Sequence, residues 1–329
     1  MNTSKVCTKC NNVKETTEFL KRSDQPDKFT SHCKKCISLY HKEYCNTKEG
    51  FLKTLYRHAK IRVKDGKEFT ITYQYFLEIL KKQEEKCYYL NIKLTFKQFS
   101  DWQCSLERLD QSKGYIEGNI AFVCLELNVQ QQWTIEKINN FVELISIKHK
   151  SNIIIDEKPN KTRCKVIKEL INDIEHIKCT HCNIFKLQNE YTKVIGQGCK
   201  ECIKNRGINR RATLSGAIVN IFNNCKKRHN KFINKNRITE EFNITYEYLI
   251  DLFNKQNGLC AYSGIPLKTS GYWKLSLERI NSKNGYTKDN VCFICQELNS
   301  TDRSCMNDNA TGSGGWSKEK IDYIKKINN

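Results

Sequence analysis

Apolar residues recur at helical spacing in several stretches of the chain. Ile135, Ile138, Phe141 with Val142, and Ile145 fall on one face of a 3.6-residue period, which predicts a helix with that face in the core. Tyr75, Phe76, Ile79 and Leu80 form the same stripe ahead of Cys87, and Tyr248, Leu249, Leu252 and Phe253 form it ahead of Cys260. Elsewhere the period shortens to two. SLERL (105–109) and SLERI (276–280) alternate as strands, KGY (113–115) and NGY (284–286) supply a glycine turn, and NIAFV (119–123) and NVCFI (290–294) read as returning strands. The chain is then expected to enter a helix near CLELN and CQELN.

These elements come in pairs because the chain repeats itself. Trp102–Asn128 and Trp273–Asn299 have equal length, need no gap and agree at 13 of 27 positions. The repeat runs further: CTKC (7–10) matches CTHC (179–182), CKKC (33–36) matches CKEC (199–202), and ITYQYFLEIL (71–80) matches ITYEYLIDLF (244–253). Trp133 before TIEKI matches Trp316 before SKEKI, in the same order of elements. The expected organisation is a cysteine segment at 1–46 followed by a unit at 47–150, a linker at 151–172 that contains Pro159, and a second pair at 173–212 and 213–329. A Gly-, Ser- and Asn-rich excursion at 301–315, present only in the second copy, is expected to be mobile.

Charge narrows the partners. The chain has 56 Lys and Arg against 36 Asp and Glu, a formal charge of +20, which attracts polyanions and points to nucleic acid. The same excess argues against a protein-docking adaptor. The first residues carry no apolar signal core, and no run of 18 apolar residues occurs, so an intracellular protein without a membrane span is expected, nuclear or cytoplasmic.

The 18 cysteines then read as metal ligands in a reducing compartment rather than as a disulfide framework. Cys7, Cys10, Cys33 and Cys36 in one copy, and Cys179, Cys182, Cys199 and Cys202 in the other, each give two CxxC turns, whose thiolates complete a tetrahedron around zinc. Segments this short bury little core, so two structural zinc ions are expected to supply their folding energy.

In the strand–turn–strand segment, Glu107 and Asn128 lie at opposite ends of a small unit that should bring them near each other, as should Glu278 and Asn299. A carboxylate with an amide oxygen is a hard ligand pair suited to Mg²⁺ beside a phosphate. Asn119 and Asn290 most simply brace the loop. This segment resembles the HNH, or ββα-metal, nuclease family, whose motif runs Asp-His, a glycine-bearing loop, Asn, then Cys-x-x-Cys followed by Asn or His. The cysteine segments look like the zinc ribbon of phage recombination endonucleases, with Lys14 and Phe19, and Lys186 and Tyr191, at the expected offsets.

The resemblance implies an α+β chain of two tandem zinc ribbons and ββα-metal units, forming a pseudo-dimer within a monomer. It implies a metal-dependent endonuclease acting on DNA, with a duplex expected. Glu107 and Glu278 take the acidic ligand position, Asn119 and Asn290 the central one, and Asn128 and Asn299 the last, with Mg²⁺ or Mn²⁺ between Glu and the last Asn. The catalytic His position holds Arg108 and Arg279, which stay protonated and cannot act as a base, but can clamp a phosphate. A nucleic-acid-binding protein that has lost cleavage is the alternative. Many family members carry a further zinc on CxxC pairs around the hairpin. Here Cys87 and Cys124, and Cys260 and Cys295, remain, while Leu90, Leu127, Ser263 and Leu298 stand at the partner positions, so these cysteines read as core. The second copy keeps SGIPL, nearer the family pattern, and is the copy expected to cut if only one does.

Overall fold

The computed structural model describes residues 4–63, 67–128, 133–154, 156, 166–192, 195–238, 240–300, 310–312 and 314–328. Among them are eight α-helices and several small antiparallel sheets. The chain divides into two compact units, Met1–Phe141 with Ser300–Trp316, and Val142–Asn299 with Ser317–Asn329. Each unit holds one cysteine cluster and one Glu-Arg hairpin.

In the first unit, β1 (Ser4–Val6) pairs with β2 (Val13–Glu15), and β3 (Phe19–Lys21) with β4 (Phe29–Cys33). The core of this ribbon is little more than Cys7, Phe19 and Cys33, with Cys10, Phe29 and Cys36 packed around it. The chain turns into α1 (Lys34–Cys45) and then α2 (Lys48–Ile61), whose start is fixed by the Thr47 hydroxyl accepting from Gly50 N at 3.1 Å. Helix α3 (Tyr73–Lys82) is capped in the same way by Thr72.

The hairpin of β5 (Cys104–Arg108) and β6 (Ile120–Cys124) pairs Glu107 with Ala121 and Arg108 with Ile120. Phe76 of α3 meets Phe122 edge to face at 4.7 Å, both fully buried. A side chain of that size contributes about 2–3 kcal/mol by burial. Just past α3, the Gln83 amide donates to Phe122 O at 2.8 Å and accepts from Phe122 N at 2.9 Å, completing the outer edge of the hairpin in place of a third strand. The loop between the strands docks on the segment before α3. A Cβ at Gly114 would fall 1.9 Å from Glu68 O, so only glycine allows the approach that lets Tyr115 N reach Glu68 O at 2.9 Å.

The second unit repeats this order. Its ribbon is one three-stranded sheet in place of two hairpins, β7 (Lys168–Ile171) joining β8 (Ile174–Lys178) and β9 (Phe185–Leu187), around a core of Ile177, Cys179, Tyr191 and Cys199. Helices α5 (Lys200–Ala212), α6 (Leu214–Ile233) and α7 (Tyr246–Lys255) precede the hairpin of β10 (Leu275–Arg279) and β11 (Val291–Cys295). Gln256 repeats the two-way clamp, on Phe293.

Three expectations change. After β6 and β11 the chain makes only a single 3-10 turn, Leu125–Leu127 and Gln296–Leu298, and no α-helix follows among the described residues until α4 (Ile135–Ser146) and α8 (Lys318–Asn328). In α4 the buried stripe is Ile138, Phe141 and Ile145, while Ile135 is exposed at the N-terminal end. Of the Trp residues that open the last segments, Trp133 stays with its own copy, but Trp316 packs in the first unit, 6.0 Å from Trp133 and 5.8 Å from Phe141. Residues 157–165 of the linker, with Pro159, and 301–309 of the excursion lie outside the described residues. Beyond them, Thr311 N and Gly312 N both donate to Phe99 O. No described helix is long and apolar enough to cross a membrane.

Candidate functional site

The paired cysteines converge. The sulfurs of Cys7, Cys10, Cys33 and Cys36 lie within 4.8 Å of one another, as do those of Cys179, Cys182, Cys199 and Cys202. Each cluster could hold a metal ion such as zinc. Cys7 and Cys179 each follow a strand, and Cys33 and Cys199 each cap a helix whose first turn holds Cys36 or Cys202, so each cluster is held by sheet on one side and by helix on the other. The cradle is built for thiolates. Cys33 N donates to Cys7 Sγ and Cys199 N to Cys179 Sγ, both at 3.2 Å. Burial pushes the Cys7 thiol up, but backbone N–H groups of Cys33, Cys10 and Lys9 outweigh it and bring it down to about 5. Tyr191 fixes the second ribbon through its hydroxyl, which donates to Ile177 O at 2.6 Å.

The hairpin cysteines behave differently. Cys87 and Cys124 are buried with their sulfurs 3.8 Å apart, and Cys260 and Cys295 are buried in the equivalent place. Leu90, Leu127 and Leu298 fill the neighbouring positions, also buried, with Ser263 at the fourth. Two thiols walled by leucine form core here.

Around the Glu-Arg hairpin the two units make the same bonds. Glu107 is 7% exposed and accepts from Arg108 N at 2.9 Å; burial raises its carboxyl above the usual range. Glu278 accepts from Arg279 N at the same distance. Asn128 donates both amide hydrogens to the glutamate strand, to Ser105 Oγ and Leu106 O, each at 2.9 Å. Asn299 does so to Ser276 Oγ at 2.8 Å and Leu277 O at 3.0 Å. With both donors committed beside the glutamate, what each asparagine has left to present is its carbonyl oxygen. A carboxylate and an amide oxygen anchored to one strand fit a hard divalent cation.

Asn119 and Asn290 are loop braces. Asn119 accepts from Asp110 N at 2.8 Å and donates to Asp110 O and Gly114 O at 3.0 and 2.8 Å. Asn290 makes the same three bonds to Asn281 and Gly285. Their polar atoms are spent on backbone, so they shape the site rather than touch a substrate.

The strand arginines are also tied to the loop. Arg108 Nη1 donates to Gln111 O and Lys113 O at 3.2 and 3.0 Å, with its guanidinium over Tyr115. Arg279 Nη1 donates to Ser282 O and Asn284 O at 2.8 and 2.7 Å, between Phe232 and Tyr286. One edge of each guanidinium is therefore a strut for the loop.

A second arginine per unit escaped the sequence reading. Arg62, just past α2, lines a cavity of about 340 Å³ together with Glu107, Arg108, Lys67 and Asn128. Arg228, within α6, is an exposed residue that donates to the Tyr286 hydroxyl and feels the charge of Glu278. The signal was in the repeat: Arg62 and Arg228 each follow the shared helix glycine, Gly50 and Gly216, by 12 residues. Glu126 and Glu297 were likewise missed. They are buried and accept from Trp102 N and Trp273 N at 3.1 and 3.2 Å, holding the turn that starts each hairpin.

Each unit thus gathers an anchored Glu–Asn pair and two arginines at one end of a hairpin, with a cysteine cluster on the same chain segment; no family model, no curated protein and no solved structure matches this chain.

Proposed function

We propose that the protein is a metal-dependent endonuclease of the HNH type that hydrolyses DNA phosphodiester bonds, built as two tandem units, each behind a zinc ribbon. The observation that carries the reading is the repeated pair Glu107–Asn128 and Glu278–Asn299, in which the asparagine commits both amide hydrogens to the glutamate strand and keeps its oxygen for another partner.

Mg²⁺ or Mn²⁺ held by these pairs would supply Lewis-acid polarisation of a phosphate oxygen. The remaining roles fall to the chain's own residues. Arg62, exposed on the cavity that holds Glu107, and Arg228, exposed within the field of Glu278, bind the phosphate and offset charge that grows on it. Arg108 and Arg279 hold the loop and add positive potential. Asn119 and Asn290 keep that loop in register. The +20 charge draws the polyanion in. Neither arginine can accept a proton, so the water that attacks loses its proton elsewhere, which favours a slow enzyme.

The same absence supports a second reading, a nucleic-acid-binding protein that keeps the fold without cleaving. Incubation of plasmid DNA with the protein, with and without Mg²⁺ or Mn²⁺, separates the two. Ion-dependent nicking supports the nuclease, and retention of DNA without nicking supports binding alone.

A further inference from the structure

Three cavities of the first unit share lining residues in succession. The first, about 340 Å³, surrounds Glu107. It shares Arg62 and Asn128 with a second of about 270 Å³, which also contains His58 and Gln103. The second shares Gln98 and Phe99 with a third of about 510 Å³ that reaches Lys42 on the zinc-ribbon helix α1. Sharing these side chains as walls, the three follow one another from the cysteine ribbon to the glutamate, and we treat them as one groove. Its cations are spread along its length: Lys42 and Lys97 at the ribbon end, Arg62 in the middle, Lys67 and Arg108 at the far end. Among the described residues lining it, Glu107 is the single carboxylate. A track of cations ending at one acidic ligand matches a chain of phosphates led to a cation site.

Phe99 stands at the junction of the second and third cavities. Its backbone is in the left-handed region, φ 56°, which costs a residue with a Cβ about 1–2 kcal/mol. Hydrogen bonds hold it there: Gln103 Oε1 accepts from Phe99 N at 2.8 Å, while Thr311 N and Gly312 N donate to Phe99 O at 2.8 and 3.0 Å. In the second unit the turn is two residues shorter, from Leu267 to Trp273 against Leu94 to Trp102, and its left-handed position is Gly271, φ 71°, where that conformation is free of strain. The first unit thus keeps a half-buried aromatic ring at a place where glycine would be the easier residue.

We infer that this groove takes a single unpaired polynucleotide strand, with Phe99 stacking on a base and the cations holding its phosphates up to Glu107. This deepens the nuclease reading and rests on it for the role of Glu107, but the binding itself does not. In a duplex both faces of each base are covered by its neighbours, so a ring set in a groove finds a π-face only on an unpaired base. Gln98 and Gln103 line the same cavity as Phe99 and offer polar groups for base edges.

The test is binding of the full-length, zinc-loaded protein to fluorescein-labelled strands of about 15 nucleotides, followed by anisotropy with no added Mg²⁺. The same sequence is presented as a DNA strand, an RNA strand and a DNA duplex. Tighter binding of either single strand than of the duplex is expected, and the two single-strand arms tell which sugar is preferred. Phe99→Gly relieves the strained backbone, so the fold should persist, with zinc content unchanged, while single-strand affinity falls by about 5- to 100-fold. Phe99→Trp should keep or raise it. Lys97→Ala should lower the salt slope for the DNA strand by about 0.7. Duplex binding equal to or tighter than single-strand binding, or unchanged affinity in folded Phe99→Gly, overturns the inference and leaves the nuclease reading standing. Absence of ion-dependent cleavage with Phe99-dependent strand binding does the reverse.

Discussion

Replacing Asn119 by alanine removes three hydrogen bonds at a site that is 6% exposed. Asp110 N, Asp110 O and Gly114 O lose their partner at once. A buried bond contributes about 0.5–1.5 kcal/mol net, so the three together contribute about 2–4 kcal/mol, toward the lower end where water reaches the loop. For a unit of this size that lowers its melting midpoint by roughly 5–12 °C. The loop also anchors Arg108 through Gln111 O and Lys113 O, so the guanidinium loses its fixed position and activity at Glu107 falls beyond the stability change. Asn119→Asp separates bonding from shape. It keeps the acceptor for Asp110 N but faces two carbonyl oxygens with a carboxylate, and should be at least as damaging as alanine. The assay is thermal and urea unfolding of wild type, both variants and Asn290→Ala. Each unit is expected to lose stability from its own variant. A midpoint within about 1 °C of wild type for Asn119→Ala would refute the reasoning, because three well-formed buried bonds cannot be worth so little.

Purified protein should contain two zinc ions per chain by elemental analysis, and Cys179→Ser should remove one of them and expose the second ribbon to proteolysis. Asp156 caps α6, accepting from Leu214 N and Ser215 N at 2.7 Å each; burial pushes its carboxyl up, but these bonds and the Ser215 hydroxyl outweigh it and hold it low. Because the folded form binds its proton less tightly than the unfolded chain, its contribution of about 1 kcal/mol is present above about pH 4 and disappears as pH falls further through the depressed value. Urea melts of Asp156→Ala against wild type at pH 7 and pH 3 should show a gap that is narrower at pH 3. Arg228→Ala should weaken DNA retention and cleavage with little change in melting temperature, whereas Arg279→Ala should also loosen its loop and lower the melting temperature of the second unit.

The paired cysteines and the hairpin were legible because each depends on local spacing. CxxC turns direct two sulfurs to one side, and period-two alternation sets the Glu107 register opposite Ala121. Strand–turn–strand geometry leads to the expectation that Glu107 and Asn128 lie near each other, and both line one cavity. What was not legible depends on which atoms the tertiary fold consumes. Nothing in SLERL says that Arg108 spends Nη1 on two carbonyls six residues or fewer away, or that Asn128 spends both hydrogens on β5. Arg62 lies 45 residues from Glu107 with no motif around it, and only helix packing brings it to the site. A helix is expected near Leu125–Leu127, yet Glu126 accepts from Trp102 N and the chain makes one 3-10 turn there. Phe99 offered no pattern at all, since its significance lies in a backbone angle.

The central claim is tested most directly by one cleavage experiment, on plasmid, branched and single-stranded DNA with Mg²⁺ or Mn²⁺, comparing wild type with Glu107→Gln, Glu278→Gln and the double variant. Glutamine keeps the shape and removes the charge that retains a hard cation. The account predicts ion-dependent cleavage by wild type, loss confined to one unit's share in each single variant, and no cleavage by the double variant, with DNA binding kept within about two-fold, as removing a ligand charge leaves the phosphate contacts in place. Cleavage by the double variant at the wild-type rate, or none by wild type on any of these substrates, would contradict it.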